Sequence, residues 1–291
     1  MSAKQYIEQL VGVFGHPVAE NPTVVLQQAA FHALELPWRY LTIEVYPEDL
    51  PSAMAGLKAF NMRGINLTIP HKQQVLDFLD ELSPAAQLIG AVNTVINRDG
   101  ILVGENTDGK GFIRSLTEDA KADVSGKHIL ILGAGGAARA IAVELALAGA
   151  GKITIINRSA DRGTDLCRLI SDKVKIPAHF IQWEGTAAVP EDADIIVNAT
   201  SIGLPPDDDL IPDIDFTGID SSKIVCDVIP APSTPFLRKA GSRGAYTLDG
   251  MGMLVYQGAI GFTLWTGKEA PIEVMHQALL KEFESQDQQD S

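Results

Sequence analysis

A chain of 291 residues with 37 acidic and 23 basic side chains has a formal charge of −14. That balance argues against nucleic acid or an anionic membrane as partner, and leaves open a small ligand that meets only a local basic patch. With 46% hydrophobic residues and no apolar run of membrane-spanning length, the sequence describes a globular protein with core enough for about two domains. The opening residues lack an apolar signal core, and Cys167 and Cys226 stand alone in apolar or helical surroundings. No metal cluster is expected, and a reducing cytoplasm is the expected location.

Taken in order, the chain alternates short apolar strands with helices. A strand over 11–15 ends in Gly15-His16-Pro17. Asn21 then reads as a helix cap and Pro22 as the first helical residue of a segment running to 34. Next come a strand at 38–45, a helix over 47–60 and a strand at 64–68. Alternation of this kind predicts parallel βαβ units. Pro70 opens a helix expected over 72–82, a shorter one follows from Ser83, and 91–96 with 101–103 form a hairpin around the turn Arg98-Asp-Gly100. A helix starting near Asp108 leads into a second α/β half, with strands expected near 129–132, 152–156, 178–182, 194–197, 224–228 and 245–248. That half reads as a doubly wound Rossmann sheet. Helical spacing returns over 253–265 and again over 271–284, and 286–291 reads as a polar tail.

Gly133-Ala-Gly-Gly-Ala-Ala138 joins the strand 129–132 to a helix rich in alanine and leucine. Gly133 permits a sharp reversal, and Gly135 keeps a side chain away from a pyrophosphate. The amides that open the following helix, at Gly136 and Ala137, point at the anion. Ala138 stands where the usual fingerprint has its third glycine, within the small-residue rule. A lone turn of this type is weak evidence, and the next strand adds to it. Where an NAD site would place a carboxylate, about 20 residues on, the chain carries Asn157-Arg158-Ser159 and Arg162. Guanidinium forks match a phosphate, so NADP is the favoured cofactor.

In the first half, Gly64-Ile-Asn-Leu-Thr-Ile-Pro-His-Lys72 puts polar side chains at the carboxyl end of a strand, where open α/β sheets bind ligands. Asn66 and Thr68 alternate with apolar neighbours and are expected to share one side. Lys72 falls in the first turn of the helix expected over 72–82, where the dipole disfavours an added positive charge. Read alone, such a lysine is more often a solvated surface group. Asn93 and Asp108 equally suit turns and caps. His16 and His71 stand near the same edge with no metal-ligand spacing.

These stretches together resemble the shikimate dehydrogenase family. Gly-Ile-Asn-Leu-Thr-Ile-Pro-His-Lys, Gly-Ala-Val-Asn-Thr, Gly-Glu-Asn-Thr-Asp-Gly, Gly-Ala-Gly-Gly-Ala-Ala-Arg, Ile-Asn-Arg-Ser, Asn198-Ala-Thr-Ser-Ile-Gly-Leu204 and Asp249-Gly-Met-Gly-Met-Leu254 occur in the family's order and cover essentially the whole chain. The resemblance implies a substrate domain over 1–108, an NADP domain over 109–250 and helices over 251–285 that return to the first domain. It implies Lys72 and Asp108 as the catalytic pair, with Thr68, Asn93 and Gln257 on the substrate. Cofactor contacts follow at Gly133, Gly135, Gly136 and Ala137 in the turn, at Asn157, Arg158, Ser159 and Arg162 on the next strand's tip, and at Thr200 and Gly250. The implied reaction is NADP-dependent interconversion of 3-dehydroshikimate and shikimate, or of a related cyclic hydroxy-acid, by a monomer or homodimer.

Two departures from the family pattern bear on the substrate. Members that use shikimate carry Ser-x-Ser after the first strand, and this chain has Asn21 and Thr23 there. A tyrosine common just past the aspartate matching Asp227 is also missing, since the chain reads Asp227-Val-Ile-Pro230. Asn21 and Thr23 remain hydrogen-bonding groups, so a carboxylate stays the expected guest. A non-catalytic NADP-binding homologue and a quinate-type dehydrogenase are the alternatives. Retention of both Lys72 and Asp108 favours an enzyme.

Overall fold

Buried apolar strands at β1 (Gln9–Gly15), β2 (Trp38–Glu44) and β3 (Gly64–Leu67) set the first sheet. In the computed structural model, which describes residues 6–289, the chain divides into two compact units. One runs to Thr107 and resumes at Gln257, and the other is Asp108–Tyr256. In the first unit, helices α1 (Thr23–Ala33) and α2 (Leu50–Ala59) follow β1 and β2. A single turn, α3 (His71–Gln74), then leads to the two-residue strand β4 (Glu81–Leu82) and to α4 (Pro84–Ile89). The hairpin β5 (Thr94–Arg98) and β6 (Ile101–Glu105) completes a sheet of order β2-β1-β3-β5-β6-β4.

The sheet is mixed rather than parallel throughout. β1 runs parallel to β2 and β3, whereas β3–β5 and β5–β6 are antiparallel. The helix expected over 72–82 is also corrected. After α3 and a 3-10 turn at Val75–Phe78 the backbone extends, because the Asp80 carboxylate and amide both pair with the Leu102 backbone, at 2.7 and 2.9 Å. Helix formation there would give up a strand pairing.

In the second unit α5 (Asp108–Glu118) precedes β7 (His128–Leu132), α6 (Gly136–Leu147), β8 (Lys152–Asn157) and α7 (Ala160–Leu169). Then come β9 (Ala178–Gln182), β10 (Ile195–Asn198), β11 (Ile224–Asp227), α8 (Pro235–Ser242) and β12 (Tyr246–Leu248). Every strand pair in the order β12-β11-β10-β7-β8-β9 is parallel, which is the doubly wound arrangement with its reversal beside β7. β7 and β10 are buried along their whole length, as strands covered on both faces must be.

Helix α9 (Gly250–Thr266) begins in the second unit and ends in the first, and α10 (Ile272–Gln289) follows it. α10 runs past 284, so residues 286–289 of the expected polar tail are helical, and 290–291 lie outside the described residues. Within the first unit Phe262 stacks on Phe31 at 5.4 Å and Trp265 donates its indole N–H to Val95 O at 2.9 Å. Gly64 makes room for that indole: a Cβ there would lie 2.1 Å from Trp265 Nε1. Phe262→Ala removes a fully buried ring and is expected to cost about 3–5 kcal/mol. A urea midpoint for the variant indistinguishable from wild type would show that this ring carries no packing energy.

Candidate active site

The turn after β7 is shaped for glycine at two kinds of position. Gly133 sits at φ +104°, and its amide donates to Ile156 O at 2.7 Å. A Cβ on it would press on Ala199 O at 2.9 Å and on Thr200 Cγ2 at 3.1 Å. Gly135 and Gly136 are exposed, and a Cβ on either would meet nothing within 4 Å. The protein itself therefore does not demand glycine at 135 and 136, so a ligand lying close to the backbone is a reason for both. Gly135, the cap of α6, has no side chain with which to bond the amides that open the helix. The cradle fits the pyrophosphate of a dinucleotide, with Ala137 half-buried on the first turn of the helix.

At the tip of β8, Asn157 donates to Ser159 O at 2.9 Å, and Ser159 Oγ accepts from the Arg162 amide as the cap of α7. Gln182 donates to Arg158 O at 2.6 Å. These bonds fix the backbone and leave the Arg158 and Arg162 side chains exposed, an arrangement that fits a terminal phosphate. Thr200 has its hydroxyl committed inward, donating to Asn198 Oδ1 at 2.7 Å, while its methyl lies toward Gly133. It shapes the turn. Gly250 is buried, and a Cβ there would meet the carbonyls of Val228 and Ile229 at 2.5 Å, so packing already accounts for that glycine.

The first unit carries a buried, uncharged network. Tyr40 donates to Asn66 Oδ1 at 2.8 Å, and Asn66 Nδ2 donates to Asn93 O and to Thr94 Oγ1, its partner across the β3–β5 ladder. Donation to the Asn93 carbonyl fixes which end of the Asn66 amide is nitrogen, so the single Tyr40 proton must go to Asn66. Asn93 Oδ1 takes the Thr107 amide at 2.7 Å and the Thr94 hydroxyl at 3.2 Å, and Asn93 Nδ2 donates to Thr107 Oγ1 at 3.0 Å. Thr107 also reaches Gln257 Oε1 at 3.5 Å. Burial holds the Tyr40 phenol far above its ordinary titration range, so the network stays neutral. Sequence reading singles out Asn66 and Asn93 and carries Thr94 and Thr107 within the quoted motifs, but it misses Tyr40, whose only signal is a polar residue inside a buried strand.

Asn21 is half-buried and its Oδ1 accepts from the Thr23 amide at 3.0 Å, one residue later than the expected start of α1. Thr23 is buried, and its hydroxyl interacts with the Tyr40 phenol. Thr68 lies just past β3 with its methyl over Gly15, where a Cβ would come within 2.3 Å. Lys72 is half-buried in the four-residue α3. So short a helix has little macrodipole, which removes the bias expected from a helix over 72–82. His71, fully buried, bonds Val45 O through Nε2 at 2.7 Å, and so anchors the residue next to Lys72. Asp108 opens α5 in the second unit, and the residue before it, Thr107, is pinned by Asn93. No metal-binding group of His, Cys, Asp and Glu occurs among the described residues, and no helix there is long and apolar enough to cross a membrane.

A Rossmann unit with an open glycine turn beside exposed arginines, in one chain with an α/β unit holding a neutral polar network, defines a dinucleotide-dependent oxidoreductase. Residues 13–95 match the shikimate dehydrogenase substrate binding domain, 115–205 the shikimate/quinate 5-dehydrogenase model and 250–280 the shikimate 5'-dehydrogenase C-terminal domain. The chain belongs to the shikimate dehydrogenase family. It is 45% identical to a shikimate dehydrogenase (NADP(+)) of Desulforamulus reducens over 94% of this chain and 95% of that protein. Among solved structures it is similar to ligand-free 5-ketofructose reductase of Gluconobacter sp. strain CHM43, with TM-score 0.91, 45% identity and coverage of 95% of this chain and 99% of that one. A shikimate dehydrogenase in complex with NADP+ superposes with TM-score 0.87 at 38% identity, covering 94% and 96% of the two chains.

Proposed function

We propose that the chain is an NADP-dependent alcohol dehydrogenase that interconverts 3-dehydroshikimate and shikimate, or a closely related cyclic hydroxy-acid. The observation that carries this reading is the open Gly135-Gly136 cradle next to Arg158 and Arg162, in a chain similar throughout its length to NADP-dependent shikimate dehydrogenases. NADP supplies the hydride acceptor for oxidation and, when reduced, the hydride donor. Gly133, Gly135, Gly136 and Ala137 hold the pyrophosphate, with Asn157 and Ser159 setting the loop that presents Arg158 and Arg162 to the 2′-phosphate. Thr200 and Gly250 shape the same edge. On the substrate side, Lys72 takes the hydroxyl proton in oxidation and returns it to the carbonyl oxygen in reduction. Asp108 orients that amine and stabilises its protonated form. Asn93, Thr68 and Gln257 complete the polar set that meets the substrate. The acidic balance of −14 argues against nucleic acid or an anionic membrane as partner, two isolated cysteines suit a reducing cytoplasm, and the chain acts as a monomer or homodimer.

A second reading concerns the substrate alone, and Asn21 and Thr23 favour it. Asn21 Oδ1 is spent on the Thr23 amide, and Thr23 itself is buried. A buried Thr23 offers a ligand little of its hydroxyl, which weakens a carboxylate grip. A neutral polyhydroxylated ketone suits such groups better, and the chain is 45% identical to a 5-ketofructose reductase. NADPH-dependent reduction of 3-dehydroshikimate and of 5-ketofructose, compared by kcat/KM, separates the two. On the second reading the ketose is preferred, and Asn21→Ser with Thr23→Ser lowers the KM for shikimate at least about tenfold, as regaining a hydrogen bond to a charged group implies. A wild type that binds shikimate as well as the double variant leaves shikimate as the substrate.

A further inference from the structure

Asp227 closes β11, and its side chain is almost wholly out of solvent. The proposed chemistry does not use it. Buried carboxylates are costly unless donors surround them, and here three segments supply donors. Asn198 Nδ2 and the Ile229 amide donate to Oδ1 at 3.1 and 3.2 Å, and Thr234 Oγ1 donates to Oδ2 at 2.7 Å. Thr234 in turn caps α8 by accepting the Leu237 amide.

Asn198 passes the effect on. It stands opposite Asp227 in the parallel β10–β11 ladder and is fully buried. Its Nδ2 serves two acceptors, the Asp227 carboxylate and Ile202 O at 3.2 Å. An amide nitrogen can do that only if its oxygen points the other way. That oxygen receives the Thr200 amide at 3.2 Å and the Thr200 hydroxyl at 2.7 Å. Thr200 and Ala199 are the atoms against which Gly133 turns, at 3.1 and 2.9 Å from a Cβ built there. The carboxylate therefore stands at one end of a continuous chain of hydrogen bonds, through Asn198 and Thr200, whose other end packs behind the glycine turn.

We propose that Asp227 is a positioning residue for the cofactor turn: acting through Asn198 and Thr200, its ionised carboxylate holds the segment behind Gly133, and NADP affinity depends on that charge. This rests on the reading of the Gly133 turn as the NADP site. Burial pushes the Asp227 carboxyl up to about 6, against the hydrogen bonds from Thr234, Ile229, Asn198 and Val228. The titratable neighbour its charge acts on is the buried Cys226 thiol, which it pushes further up. Above that range Asp227 is a pure acceptor and satisfies all its donors. Below it, a proton sits on one oxygen and one partner is lost, so NADP binding weakens as pH falls through about 6. The NADP 2′-phosphate titrates in the same region, but equally for every variant, so the informative quantity is the difference between proteins.

The test is NADP affinity by fluorescence titration from pH 5 to 8 on the full chain. Asp227→Asn is expected to weaken NADP binding about tenfold at pH 7.5, the scale of one charge-assisted bond, and to lose the component centred near pH 6 that wild type shows. Thr234→Val removes a donor without removing the charge, so it is expected to move that component to higher pH. A loss of α8 capping alone would lower stability without moving it. In a double-mutant cycle, Asp227→Asn and Thr200→Val are expected to be non-additive. Wild type that binds NADP, with Asp227→Asn within twofold of it at every pH or Thr234→Val leaving the component in place, overturns the role of Asp227. Wild type without NADP binding overturns the assignment of the turn as well.

Discussion

Lys72→Ala is expected to cut turnover by about 10² to 10⁴-fold, the usual worth of a proton-transfer group, while NADP affinity stays within about twofold. Oxidation of a ring hydroxyl needs a base for the O–H proton, and the reverse reaction needs the same group as an acid. Lys72 is half-buried in a one-turn helix, next to His71, which is locked to Val45 O. That anchoring fixes the backbone on which the Lys72 side chain stands. Asp108→Asn is expected to be impaired too, with the larger share in kcat if the carboxylate orients the amine. Steady-state kinetics with whichever substrate wild type uses best will decide it. Near-normal turnover in Lys72→Ala would reduce Lys72 to a surface or binding residue and remove the proposed proton route.

Local signals carried a large part of the structure. The glycine turn, the short helix from Ser83, the hairpin at β5–β6 and the Rossmann strands all follow from residues within a few positions of one another, and all are found where those residues stand. Long-range pairing is what the sequence hid. The strand at β4 exists because Asp80 meets Leu102, and nothing in the apolar spacing of 72–82 announces a partner that far along. Tyr40 and Asn66 are 26 residues apart, and Asn198 and Asp227 are 29 apart. Each pair forms only once the sheet sets neighbouring strands side by side, so a polar residue in a buried strand was visible while its partner was not. Thr200 and Gly250 show the other side of this. Their positions were read through a ligand, and the hydroxyl of the first and the missing side chain of the second are each engaged by the protein itself.

The paired replacement Arg158→Ala and Arg162→Ala is expected to weaken NADP binding by about 10²-fold and to leave NAD within about threefold. A charge-assisted hydrogen bond to phosphate contributes about 1.5–3 kcal/mol. Both side chains are exposed, so solvent screening trims each to the lower end, roughly tenfold apiece. NAD lacks the 2′-phosphate and gives the guanidinium groups nothing to bind. The backbone they stand on does not depend on their side chains: Ser159 still caps α7, Asn157 still holds Ser159 O, and Gln182 still holds Arg158 O. Loss of affinity in the variant would therefore report the charge contact and not a collapsed loop. Ionic strength supplies an independent check, because salt screens exposed charges over about 8–10 Å under ordinary conditions. Wild-type affinity for NADP should fall more steeply with added salt than affinity for NAD, and the variant should lose that difference. Equal affinity of wild type for the two cofactors, at low salt as at high, would mean that the arginines at the β8 tip face water and select nothing.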